Sequence, residues 1–161
     1  MDTLESAIKL MKPGCFMTSI DLRAHTILYL YHLLIENTLN LHGKAFYFSL
    51  ARIFTKIMKP LFSFLRTQFG HNCLGYIDDS FYTEDTKDIC RETTLNAVKL
   101  FTSLGFVVHT KSIFNLVEYI PIFGFLINSS SMTVCLTKKK TNKIIIMCQK
   151  LDNDQNFTIR A

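Results

Sequence analysis

Cys73-Leu74-Gly75-Tyr76-Ile77-Asp78-Asp79-Ser80-Phe81-Tyr82 is the stretch on which the reading of this chain turns. Aromatic and branched side chains flank a polar centre, a pattern that predicts a β-hairpin over residues 73–82 with Asp78 and Asp79 at its tip. Two-residue hairpin turns favour Asn-Gly or Asp-Gly, because the turns that match strand twist need positive φ. Here two carboxylates stand at the tip without a glycine, so like-charge repulsion and turn strain both cost stability. A divalent cation would turn that repulsion into attraction, since it seeks hard oxygen ligands. Taken alone, an Asp-Asp corner is more often simply solvated.

Upstream, Cys15-Phe16-Met17-Thr18-Ser19-Ile20-Asp21 reads as a second strand, with Phe16, Thr18 and Ile20 on one face and Met17, Ser19 and Asp21 on the other. Asp21 therefore ends a strand at a sheet rim, where it is able to join the hairpin acids. Three carboxylates so gathered suit a two-metal site, in which one ion activates an attacking hydroxyl and the other steadies a leaving pyrophosphate. Before this strand, residues 2–12 predict a helix: Asp2 with Glu5 forms a capping box, Leu4, Ile8 and Met11 recur at helical spacing, and Pro13-Gly14 ends it. After it, residues 24–42 are apolar without clear period. Residues 44–48, rich in aromatics, suggest a short strand. Residues 51–68 carry a helical stripe that Pro60 is expected to kink or split.

Downstream, residues 86–104 predict a long helix with Ile89, Ala97, Leu100, Phe101 and Leu104 inward and Gly105 at its C-terminal cap. Residues 106–108, 123–127 and 132–135 suggest strands, with a turn at 129–131. Residues 137–150 suggest a basic helix, and 152–156 a linker. Helices and short strands alternate over a modest length, which predicts an α+β fold with an antiparallel sheet. The expected organisation is one domain over residues 1–151 and a linker or start of a truncated segment over 152–161.

Composition narrows the classes. At 161 residues, 48% of them apolar and 14 of them Phe, the chain is long enough for one domain with a core. Six glycines and three prolines exclude a disordered linker protein. A net charge of +5 suits a polyanion partner without demanding one. No apolar run reaches membrane-span length, so no membrane partner is expected. The acidic start, with Asp2 and Glu5, is unlike a signal peptide. Five cysteines without a Cys-x-x-Cys pair read as reduced thiols of an intracellular protein. His71 and Cys73 are too few to suggest a metal site, and His25, His32, His42 and His109 have no acid or Cys at ligand spacing.

Read together, several blocks form a recognisable order. They are Ser19-Ile20-Asp21-Leu22-Arg23, Gly43-Lys44 with Phe46-Tyr47-Phe48, Arg52-Ile53-Phe54-Thr55-Lys56 and Gly75-Tyr76-Ile77-Asp78-Asp79-Ser80. Leu104-Gly105-Phe106-Val107-Val108-His109 with Lys111-Ser112, and Phe123-Gly124-Phe125, complete them. The set resembles the palm of a retrotransposon reverse transcriptase, nearest the DIRS-type and long-terminal-repeat lineages, over nearly the whole chain apart from residues 24–42. The Tyr-x-Asp-Asp box is its most specific element. The resemblance implies an RNA-directed DNA polymerase palm of ferredoxin-like topology, acting on an RNA or DNA template-primer and a deoxynucleoside triphosphate with two Mg²⁺ or Mn²⁺ ions. It implies that Asp21, Asp78 and Asp79 hold the metals, Asp78 being the firmer ligand. Tyr76 would pack beside the primer end, and Lys111 would donate a proton to pyrophosphate. Phe123, Gly124 and Phe125 would form the hairpin that grips the primer. Arg52 and Lys56 would contact the template.

Departures from the family pattern carry their own expectation. Arg23-Ala24-His25-Thr26 stands where the family has an aromatic residue that screens the sugar 2′-OH. Phe48-Ser49-Leu50-Ala51 runs directly into Arg52, where the family has a Leu-Pro-x-Gly loop, so residues 24–50 are divergent with an internal deletion. The fingers expected before Met1, and most of a thumb, are missing from this sequence. Since positioning supplies most of the rate of phosphoryl transfer, the expectation is a truncated copy whose polymerase activity is impaired or lost. The alternatives are a non-catalytic nucleic-acid-binding remnant, in which Lys138, Lys139, Lys140, Lys143 and Lys150 would add charge, and an unselected translation without a stable fold.

Overall fold

Thr3 caps α1 (Leu4–Leu10): its hydroxyl accepts the Ser6 amide N–H at 3.3 Å, and the Ser6 hydroxyl accepts the Thr3 N–H at 3.4 Å. This reciprocal box takes the place expected of Asp2 and Glu5, and Glu5 instead pairs with Lys9 one turn on. The structure, a computed structural model, describes residues 3–23 and 44–153. The unpatterned stretch 24–42 and the expected linker beyond Asn153 lie outside the described residues.

β1 (Phe16–Asp21), β2 (Cys73–Tyr76), β3 (Asp79–Glu84) and β4 (Ile113–Val117) form an antiparallel sheet in the order β2-β3-β1-β4. In the chain, α2 (Lys44–Phe69) lies between β1 and β2, and α3 (Lys87–Ser103) lies between β3 and β4. β5 (Tyr119–Ile122), β6 (Phe125–Asn128) and β7 (Thr133–Leu136) make a second antiparallel sheet, followed by α4 (Lys138–Asn153). The fold is α+β.

Alternation along β1 and β3 divides the core in two. Ile20, Tyr82 and Cys73 point to one face of the larger sheet and pack with Phe54, Met58, Phe62 and Leu65 of α2 and with Ala97 and Phe101 of α3. Met17, Phe81 and Leu74 point to the other face and pack with Ala7 and Met11 of the α1 segment and with Ile120, Ile122 and Ile127 of the smaller sheet. Gly75 is set by close approach: a Cβ there would lie 1.9 Å from the buried Phe62 ring. At that point α2 and β2 meet without room for a side chain.

Further sequence expectations are corrected. Residues 44–48 are the first turns of α2, not a strand; in sequence Phe46 and Leu50 extend the i, i+3, i+4 series of Ile53, Phe54 and Ile57, and that period outweighs local β propensity. Pro60 does not split the helix, which runs through it as one element. The inward stripe of α3 is Cys90, Thr93, Thr94, Ala97 and Phe101, while Ile89 and Leu104 are 48% and 50% exposed. Two threonines are admitted because their hydroxyls are satisfied, Thr94 donating to the Cys90 carbonyl and sharing a 2.7 Å bond with Thr18. Residues 106–108 form no strand. Phe106 N–H returns to the Phe101 carbonyl and Gly105 N–H to that of Thr102, a Schellman closure around Gly105 at φ +82°, and only Val108 bridges to Leu22.

The sheet-forming segments β4 and β5 were not foreseen, because Pro121 and mixed patterning hide them. Phe123 and Gly124, placed in a strand by the 123–127 pattern and in a hairpin by the family resemblance, are the turn between β5 and β6. Both have positive φ, 52° and 77°, as a hairpin turn matched to strand twist requires. Asp152 and Asn153, expected in a linker, belong to α4.

Candidate active site

In the β1–β3 ladder Asp21 stands directly opposite Asp79, and on the other side of β3 Tyr76 stands opposite the same residue. Directly opposed residues of an antiparallel pair share a face, with side chains rooted about 4.5–5.5 Å apart. Two acids separated by more than fifty positions therefore meet through register alone. Asp78 occupies the intervening turn with Ile77, and the Leu22 N–H donates to the Asp78 carbonyl at 2.9 Å, fastening the turn to the end of β1. Ser80 adds a bond from its hydroxyl to the Ile20 carbonyl at 3.0 Å. Ile77 has φ 56°, a left-handed conformation unusual for a β-branched residue and worth roughly 1–3 kcal/mol of strain. The charged tip is thus held in shape against both repulsion and backbone preference.

Burial and crowding set the electrostatics. The Asp79 carboxyl is pushed up to about 6, first by burial and then by Asp78 and Asp21, with Lys111 pulling the other way. Asp78 is also raised, chiefly by burial; its own backbone hydrogen bond and Lys111 oppose this, while Asp21 adds to it. Lys111 is exposed, and its charge acts on both Asp78 and Asp79.

Two residues without an assigned role complete this end of the sheet. Asp21 donates its N–H to the Ser112 hydroxyl at 3.0 Å and accepts the His109 N–H at its carbonyl at 2.7 Å. His109 Nδ1 lies 3.9 Å from an Asp21 carboxylate oxygen. That nitrogen accepts the Lys111 amide N–H at 3.0 Å, which puts the neutral ring's proton on Nε2 and makes the Asp21 contact one of proximity, not an ion pair. Linear spacing gave no sign of His109, because its partner lies on another strand. Ser112 belonged to a recognised block, but side chain-to-backbone bonds leave no periodic trace.

No protein-family model and no curated protein matches this chain.

Among the described residues, no three His, Cys, Asp or Glu side chains are already gathered tightly enough to hold an ion. The donor set is nonetheless chemically apt: three carboxylates from a rigid ladder and its turn, all hard oxygen, with a raised Asp79 that registers excess negative charge. Carboxylate oxygens are the donor class that Mg²⁺ and Mn²⁺ take.

An aromatic rim adjoins the acids. Tyr76, 39% exposed, packs its ring against Phe123 with centroids 5.1 Å apart, so the β5–β6 turn touches the hairpin at its charged end. Lys140 of α4 donates to the Phe123 carbonyl at 3.0 Å and lies 4.3 Å over the Phe125 ring, and Thr137 donates to the Gly124 carbonyl. Tyr76, Phe123 and Gly124 are thus brought together. Arg52 and Lys56 are exposed along α2 and take no part in the contacts of the acid trio.

Proposed function

We propose that this chain is the palm of a reverse transcriptase-like nucleotidyltransferase, and that Asp21, Asp78 and Asp79 are its metal-binding acids. The observation that carries the reading is the pairing of Asp21 with Asp79 at the end of β1 and β3, beside the Asp78 turn. The succession β1-α2-β2-β3-α3-β4, with sheet order β2-β3-β1-β4, supports a ferredoxin-like palm. One face backed by helices and an acid-bearing end left partly open are what template-directed chemistry on a long polymer needs.

In this reading Mg²⁺ held by the three carboxylates would supply the Lewis acidity that activates a primer hydroxyl and offsets charge on the triphosphate. Asp78 and Asp79 anchor from the hairpin and Asp21 from the neighbouring strand, so the ladder fixes their spacing. Lys111, on the exposed side of the cluster, is available to give its proton to the departing pyrophosphate oxygen. Tyr76 and Phe123 form an apolar shelf against which the terminal primer nucleotide rests, and Gly124 allows the turn its left-handed conformation. Arg52 and Lys56 face solvent where template phosphates would be met. The divergence at residues 23–26 and the missing loop before Arg52 weaken nucleotide selection, so the rate is expected to be low.

Primer extension on poly(rA)–oligo(dT) with Mg²⁺ or Mn²⁺ tests the reading. Slow extension that disappears in Asp78→Ala is the expected result. Hybrid binding that is indifferent to both metal and the substitution would instead establish a non-catalytic nucleic-acid-binding domain.

A further inference from the structure

β1 ends at Asp21, where a strand would ordinarily fray. On its β3 side the residue is held by the last rung of the ladder. On its β4 side the β1–β4 ladder ends at the pair of Ser19 with Ile113, after a register shift between Met17 and Ser19, and the isolated bridge of Leu22 with Val108 lies beyond. Asp21 nonetheless has both backbone groups bonded on that side, its N–H to Ser112 Oγ at 3.0 Å and its C=O to the His109 N–H at 2.7 Å. The carbonyl bond belongs to the Leu22–Val108 bridge, and the Ser112 hydroxyl takes the Asp21 N–H in place of a strand carbonyl.

We infer that the turn at residues 109–112 is a positioning device for the acid site, with Ser112 as its key residue, holding the Asp21 backbone so that the carboxylate stays opposed to Asp79. The inference rests on the reading of the trio as a cation-holding site. Ser112 is suited to the task because its one hydroxyl serves in both directions. It accepts from Asp21 N–H and donates to the His109 carbonyl at 2.7 Å; the longer 3.3 Å contact to the Asp21 carbonyl is secondary. The Ser112 N–H closes the same turn on the His109 carbonyl at 3.0 Å, and the Lys111 N–H is spent on His109 Nδ1. Hydrogen bonds thus link the ring, the turn and the Lys111 backbone to Asp21. Alanine at 112 removes the acceptor and leaves the Asp21 N–H, part-buried, without this partner.

The test is Mn²⁺ affinity of the full chain, measured by electron paramagnetic resonance of free ion alongside thermal melting. Ser112→Ala is expected to bind Mn²⁺ about tenfold more weakly than wild type, the size of effect typical when a group that orients a metal ligand is lost. Ser112→Thr, which keeps the hydroxyl, is expected to bind as wild type. A lowered melting temperature with unchanged Mn²⁺ affinity would overturn the inference, showing Ser112 to be merely structural. Should Ser112→Ala fail to melt cooperatively, Ser112→Thr and Ser112→Cys are compared; a weaker Cys variant supports the inference and equal affinities overturn it. Asp78→Ala separates the two levels of argument. If wild type and Asp78→Ala bind Mn²⁺ equally poorly, the acid site itself falls and takes the positioning role with it. If Asp78→Ala alone loses binding, the site stands and only the role of Ser112 is overturned.

Discussion

Asp79 and Glu84 are the first and last residues of β3, and the fold treats their carboxylates in opposite ways. Glu84, buried, accepts from the Thr93 hydroxyl at 3.0 Å, from the Asn72 N–H at 3.1 Å and from the Asn72 side-chain amide at 3.2 Å. The chain of bonds continues without a gap. Thr93 gives its only proton to Glu84, so His71 donates from Nδ1 to Thr93 and accepts from the Asn96 amide at Nε2. Burial lowers the His71 pKa, against opposing pulls from Glu84 and Glu92, and Phe69 stacks on the ring at 5.3 Å. Asp79 meets the reverse: like charges from Asp78 and Asp21, and only Lys111 to offset them. A carboxylate whose lone pairs are answered within the protein locks a structure. One crowded by its own kind at a half-open end is poised for a partner from outside.

Glu84→Ala should have the largest consequence, about 3 kcal/mol of lost stability in urea unfolding, because Thr93, Asn72 and His71 lose the acceptor that organises them. A loss under about 1 kcal/mol would break the contrast between the two ends of β3. Gly75→Ala probes the packed side of the same hairpin. With 1.9 Å to the Phe62 ring, the added methyl is expected to cost about 2 kcal/mol and to lower the melting temperature without altering Mn²⁺ affinity.

Asp79→Asn sharpens the contrast from the other end and with opposite sign. The Asp79 pKa of about 6 in the folded chain lies above the value of about 3.9 for an unfolded aspartate. Between those values the folded state holds the proton more firmly, so wild-type stability falls as pH rises through this window and stays low above it. Removing the charge should therefore stabilise by about 1 kcal/mol at pH values near 7.5, allowing for solvent screening, and the gain should vanish near pH 4. Thermal melts of both proteins across that range check it. Mg²⁺ added to wild type near pH 7.5 should raise the melting temperature, and less so in Asp79→Asn.

Legibility in the sequence followed the range of the interactions concerned. The hairpin of residues 73–82, β1 and the long α3 were readable because alternation, helical period and a Gly105 cap are local signals. The strand expected at 44–48 failed because aromatics favour strands only where a sheet accepts them, and here the helical series simply begins earlier. Ile89 and Leu104 were misread as inward because buried threonines, invisible to an apolar count, claim the inner face of α3. The candidate acids were legible as residues, whereas His109, Ser112 and the Glu84 network were not. Each of those depends on partners remote in the chain.

What the amino-acid order determined by itself was the stock of parts: an acid ending one strand, an acid pair at a hairpin tip, helices between them and a chain apolar enough to bury two clusters. Period and turn chemistry are properties of neighbours, so they survive in one dimension. Only the tertiary structure decided that Asp21 faces Asp79, that the Ser112 hydroxyl takes the Asp21 N–H, and that Tyr76 meets Phe123. Register is a relation between segments, fixed when both faces of the sheet find their buried partners, and a slip of one residue would have turned Asp21 to the helix-packed side.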